Sequence, residues 1–161
     1  MFLEDCKVLE NKQVFGTYYL MKLKGEKSIN VARAGQFYML QCKGQGTILR
    51  RPISLHYIDK EKNIIEFYYE VKGLGTQEFS RLKEGDTLNL QGPLGNGFTT
   101  DVKDKTIVVV GGGMGIAPIK LLIERLKEKR NAQKILNKEK ADFKKKLERL
   151  AKNRKRRKTS R

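Results

Sequence analysis

All fifteen glycines and all three prolines of this 161-residue chain stand at or before Pro118. A backbone that doubles back needs such residues at its corners, whereas a helix interior excludes them. The chain therefore splits into a long stretch that can turn repeatedly and a final stretch in which a helix, once begun, meets no coded stop.

The turn-rich stretch reads as strands. Residues 17–23 and 36–42 are rich in Tyr, Phe, Leu and Met, and Gly, Asn or Lys clusters bound them. Residues 52–58 and 63–71 flank Asp59-Lys60-Glu61-Lys62, a connection of hairpin length. In the second of these, Ile65, Phe67, Tyr69 and Val71 share one face and Glu66, Tyr68 and Glu70 the other, so the first set is expected to face a core. Residues 76–82 suit a short helix with Phe79 and Leu82 inward, ended by Lys83-Glu84-Gly85-Asp86, and residues 87–91 form another strand. Short strands with turn signals at regular spacing predict a mainly β fold, a small antiparallel barrel over residues 1–100.

The pattern then changes. Thr106-Ile107-Val108-Val109-Val110 is β-branched without alternation, as in a strand buried on both faces of a parallel sheet. It feeds Gly111-Gly112-Gly113-Met114-Gly115, after which residues 116–129 show helical spacing through Ile119, Leu122, Ile123 and Leu126. Residues 101–130 thus read as the first strand-turn-helix of an α/β nucleotide-binding domain, with no further unit behind it. The spacing of G-x-G-x-x-G is not met: Ile116 or Pro118 falls where the last glycine belongs. A turn that lets helix and strand pack closely is the other reading.

Charge is unevenly placed. The formal net charge of +17 suggests a polyanionic partner, but residues 1–126 carry 18 Lys+Arg against 14 Asp+Glu and residues 127–161 carry 17 against 4. The excess belongs to a basic helical tail, residues 131–161, with a thin apolar stripe of Leu136, Phe143, Leu147 and Leu150. Its end, Arg154-Lys155-Arg156-Arg157-Lys158, suits either RNA or acidic lipid, or a solvated tail. Cys6 and Cys42 have neither metal-ligand spacing nor a disulfide framework. The acidic N-terminus, Met1-Phe2-Leu3-Glu4-Asp5, is unlike an export signal, and no uncharged run is longer than residues 106–119, which are too few to span a bilayer. A cytoplasmic, non-membrane protein is expected.

Four segments carry candidate chemistry. Arg51-Pro52-Ile53-Ser54 opens a strand: Arg51 offers a planar fork of donors to a diphosphate, Ile53 packs on a flat ring and Ser54 presents a hydroxyl. It also reads as an edge strand starting at Pro52. Gly73-Leu74-Gly75-Thr76 brings bare amides and a hydroxyl to a helix mouth, for a phosphate or simply as a cap. In Gly92-Pro93-Leu94-Gly95-Asn96-Gly97-Phe98, Phe98 covers a cofactor ring or closes the barrel. His56, the single histidine, reads as structural, and nothing forms a triad or a metal site.

The order of these segments, ending in Gly111-Gly112-Gly113-Met114-Gly115-Ile116-Ala117-Pro118, resembles the ferredoxin reductase-like flavoproteins, and among them the electron-transfer subunits of NAD-dependent (class 1B) dihydroorotate dehydrogenases. The resemblance covers about residues 1–130. It implies that Arg51, Pro52, Ile53, Ser54, Tyr68, Tyr69, Glu70, Gly75 and Thr76 contact FAD. It also implies that electrons pass from dihydroorotate oxidation in a partner catalytic subunit, through a [2Fe-2S] cluster and FAD, to NAD in pyrimidine biosynthesis. After residue 130 the chain departs from the family: further nucleotide-domain strands and the four cluster cysteines are replaced by a Lys/Arg/Asn-rich segment, as from a shifted frame, a fusion or a loss. The alternatives are a basic RNA-binding module and a truncated product without function.

Overall fold

The computed structural model describes residues 1–44, 48–102 and 106–159, with side chains described as far as residue 146. It divides into two compact units, Met1–Arg125 and Leu126–Arg161.

The first unit is built on six strands: β1 (Phe2–Phe15), β2 (Tyr18–Lys24), β3 (Phe37–Leu40), β4 (Arg51–Asp59), β5 (Ile64–Glu70) and β6 (Thr87–Leu94). They close an antiparallel barrel in the order β1-β2-β5-β4-β3-β6. The expected mainly β barrel is therefore observed, and the alternation in β5 does what its period requires. Ile65, Phe67 and Tyr69 are buried at 1% exposure or less, among Met21, Leu23, Tyr38, Leu40, Leu55 and Leu90. Val71 packs against the same cluster.

No strand is predicted for residues 2–15, yet β1 closes the barrel. Its first half pairs with β6, from Phe2↔Gly92 to Lys7↔Thr87, and its second half pairs with β2 across a register shift between Val8 and Glu10. The inward residues of the first half are Glu4, Cys6 and Val8. A glutamate at the first of these positions disguises the alternation. Its burial is compensated: Glu4 Oε2 accepts from the Lys27 N–H at 3.0 Å, Ser28 Oγ bonds Oε1, and Tyr38 donates its hydroxyl to Ser28 Oγ at 3.0 Å.

A short helix, α1 (Leu74–Ser80), follows β5 and buries Phe79. It starts and stops two residues before the predicted bounds, because Gly73 is the N-cap and Thr76 lies in its first turn. Residues 106–110 form no strand, contrary to expectation. A parallel strand takes its hydrogen bonds from neighbours, and among the described residues none pairs with this run, so Val108 and Val110 stay 80% and 88% exposed. The turn and helix of the predicted unit do form. A 3₁₀ turn over Gly113–Ile116 leads into α2 (Ile119–Thr159). Gly111 lies so close to this helix that a Cβ would come within 2.4 Å of Ile119 Cδ1.

The second unit consists of the rest of α2. Ile135, Leu136 and Phe143 are 61%, 43% and 63% exposed on it, so the described part of the stripe is solvated. Leu147, Leu150 and the basic run at 154–158 lie outside the described side chains. Among the described residues no helix is long and apolar enough to cross a membrane.

Candidate functional site

Strand pairing brings Arg51-Pro52-Ile53-Ser54 on β4 beside β3, in the register Leu40↔Arg51 to Phe37↔Ser54, and β5 lies along the other edge of β4. Ile53 and Tyr69 turn into the core while Pro52, Ser54, Tyr68 and Glu70 are less buried. These six residues line one cleft of about 200 Å³, together with Lys72, Met114 and Ala117. Sequence reasoning named the first six and missed the last three. Lys72 sits beside the Gly73 turn and forms an ion pair with Glu70 at 3.1 Å. Met114 and Ala117 come from the glycine-rich turn, whose presence was legible but whose position against the barrel was not.

The core side of this wall is closely packed. Tyr69 donates its hydroxyl to Asn11 Oδ1 at 3.1 Å, and its ring stacks on Tyr19 and meets Phe79 edge-on. Burial raises its phenol pKa, which keeps it neutral. On the cleft side Tyr68 stacks on Tyr18 with centroids 5.9 Å apart and planes 7° apart.

Arg51 and Gly75 lie at the next part of the site. A Cβ on Gly75 would fall 2.6 Å from Arg51 Nε and 3.0 Å from Cys42 Sγ, so a larger residue there would displace the arginine that crosses the start of α1. Arg51 donates one guanidinium N–H to the Leu49 carbonyl at 2.9 Å. Arg50, by contrast, donates to the carbonyls of Met39 and Asn89 and to Asn89 Oδ1, tying β3 to β6. The first turn of α1 leaves the amides of Leu74, Gly75 and Thr76 without helical partners, as any helix start does. The Thr76 hydroxyl is taken up locally: it accepts from the N–H groups of Lys72 and Gly73 and donates to the Gly73 carbonyl. It shapes the mouth, and the donors offered there are backbone ones. Glu78 accepts from the amides of Lys43 and Gly44, which fastens the chain after β3 to the same helix.

Phe98 lies against Gly35, where a Cβ would approach its ring to 2.8 Å, and its N–H donates to the Ala34 carbonyl at 2.7 Å. It therefore packs on the segment that precedes β3 and is still 46% exposed. Both thiols are buried and free. Burial, reinforced by the carboxylates of Glu4, Glu26 and Asp5, pushes the Cys6 thiol up to about 12. Among the described residues no three His, Cys, Asp or Glu are grouped to hold a metal.

The closed six-stranded antiparallel barrel is shared with known proteins. The sequence profile of the oxidoreductase FAD-binding domain covers residues 5–98, and the chain belongs to that family. Curated relatives are more particular. A protein of Enterococcus faecalis named dihydroorotate dehydrogenase B (NAD(+)), electron transfer subunit, is 39% identical over 128 residues, 78% of this chain and 49% of that protein. A protein of the same name from Clostridium acetobutylicum is 42% identical over 121 residues, 75% of this chain and 47% of its own length. The chain thus spans about half the length of the curated relatives it matches. Among solved structures, an NADH-dependent reduced ferredoxin-NADP oxidoreductase superposes with a TM-score of 0.68 at 27% identity, over 76% of this chain and 44% of that one. The Amycolatopsis cytochrome P450 reductase gives 0.63 at 27% identity, over 77% and 39%.

Proposed function

We propose that this chain binds FAD through its barrel and serves as the electron-transfer part of a dihydroorotate dehydrogenase. On this reading electrons come from dihydroorotate oxidation in a catalytic partner subunit and move towards NAD in pyrimidine biosynthesis. The observation that carries the reading is the Arg51–Gly75 contact. It places a charged fork with unspent donors over bare helix-mouth amides, the donor set a diphosphate needs. Bound FAD supplies a ring that accepts and releases electrons.

The protein groups have separable tasks. Arg51 neutralises the diphosphate, and the amides of Gly75 and Thr76 hydrogen-bond it. The cleft of about 200 Å³ is smaller than the ~300–1,000 Å³ usual for whole ligands, so it takes a ring while the rest of the dinucleotide follows the open rim. Pro52, Ile53 and Tyr68 supply apolar and aromatic surface there, and Ser54 and Glu70 polar groups for the ring edge. The residues present do not fit a [2Fe-2S] cluster, which takes four ligands, usually thiolates, whereas the two cysteines are buried in the barrel and one is held firmly as a thiol. We assign FAD to these residues, and neither the cluster nor NAD.

Arg51→Ala tests the assignment. Loss of a charge-assisted hydrogen bond costs about 1.5–3 kcal/mol, so FAD affinity is expected to fall by roughly tenfold or more. Wild-type affinity in this variant, measured by flavin fluorescence titration, contradicts it.

A further inference from the structure

The outer wall of the cleft, Met114 and Ala117, belongs to a turn that no strand supports, since residues 106–110 pair with nothing among the described residues. Something else must hold it. The candidates lie on β4, whose pairing with β5 slips between Leu55↔Phe67 and Tyr57↔Glu66, leaving His56 as the extra residue of a bulge. A bulge re-aims its side chain. Here the His56 ring comes within 5.5 Å of the Tyr68 ring, tilted by 34°, and its Nδ1 stands 2.6 Å from the Ala117 carbonyl oxygen. A carbonyl only accepts, so Nδ1 carries the proton and donates it.

Two further contacts secure the start of α2 to the same strands. Lys120 Nζ donates to Glu66 Oε2 at 2.7 Å while lying 4.4 Å from the centre of the Tyr57 ring, and Leu121 is buried to 1% exposure. These fix the helix. His56 reaches back to Ala117, between the helix and the cleft.

We propose that His56 is a positioning residue for the flavin ring: its hydrogen bond to Ala117 sets the width of the cleft between Tyr68 and the glycine-rich turn. The bond also fixes the Ala117 carbonyl from a donor on β4. The inference rests on the reading that FAD binds here.

The test separates the ring end of the ligand from its phosphate end. Full-length chains carrying His56→Leu, which removes the donor, and His56→Asn, whose amide nitrogen takes the place of Nδ1, are titrated with FAD and with ADP. Losing one hydrogen bond is expected to weaken FAD by roughly three- to tenfold in His56→Leu. His56→Asn is expected to retain wild-type affinity, and ADP, bound at Arg51 and Gly75, to be unaffected in both. A purely structural role lowers FAD and ADP together and overturns the inference, as does unchanged FAD affinity in His56→Leu. Should His56→Leu fail to fold, His56→Gln, whose donor lies one bond farther out, takes its place with the same expected loss of FAD and not ADP. A wild-type chain that binds no FAD overturns the flavin reading and this inference together. FAD binding in the wild type with no loss in the variants overturns this inference alone.

Discussion

Arg50 and Arg51 are adjacent and chemically alike, and the fold gives them opposite duties. Strand alternation turns Arg50 towards β3 and β6, where its donors meet the Met39 and Asn89 carbonyls, and turns Arg51 over Gly75. The sequence marked the pair but only β3–β4 register separates them. His56 is a second residue whose neighbours decide its behaviour. Burial, with help from Lys120, lowers its pKa below the usual 6.5, while the Ala117 carbonyl and Glu66 pull the other way. The unfolded chain then takes up a proton near pH 6.5 and the folded chain only at lower pH. Between those values the unfolded state binds more protons, so stability is full above about pH 6.5 and declines as pH falls towards the folded pKa. Urea unfolding across this range is expected to show that decline in the wild type and a flatter profile in His56→Asn. Equal slopes in the two proteins contradict it.

Elements were legible where a single periodicity ruled. β5 alternates cleanly and forms as expected, while β1 escaped notice because its inward positions include Glu4 beside Cys6 and Val8, and the apolar Leu3, Val14 and Phe15 lie among its exposed ones. The burial of Glu4 depends on the Lys27 and Ser28 donors, which lie over twenty residues away and which no local pattern reveals. The run at 106–110 failed in the opposite way. Its composition suits a buried strand, but composition supplies no neighbour to pair with. The start of α2 is held instead by side chains, among which Leu121 is the deepest. Leu121→Ala is expected to cost about 2–5 kcal/mol through lost burial and the cavity left behind. The readout is the urea midpoint of the first unit, and a cost well under 1 kcal/mol would show that α2 does not pack there as described.

On the scale of the whole molecule, charge and chemistry belong to different units. Residues 1–126 are nearly balanced and hold every site residue, whereas residues 127–161 hold most of the excess of basic groups. The total of +17 taken alone points to a polyanion partner, and its distribution moves attention back to the barrel. What the sequence did not disclose is that Met114 and Ala117 complete the cleft, because that depends on a side-chain tether from a bulge and not on any motif. The central claim is that this barrel holds FAD, and the most direct measurement is the absorption spectrum of the purified full chain before and after addition of FAD, with unbound flavin removed. The account predicts a stoichiometric flavin band that survives removal of free FAD and a saturable binding isotherm. A colourless protein that shows no isotherm when FAD is supplied in excess, while its barrel is folded, contradicts it.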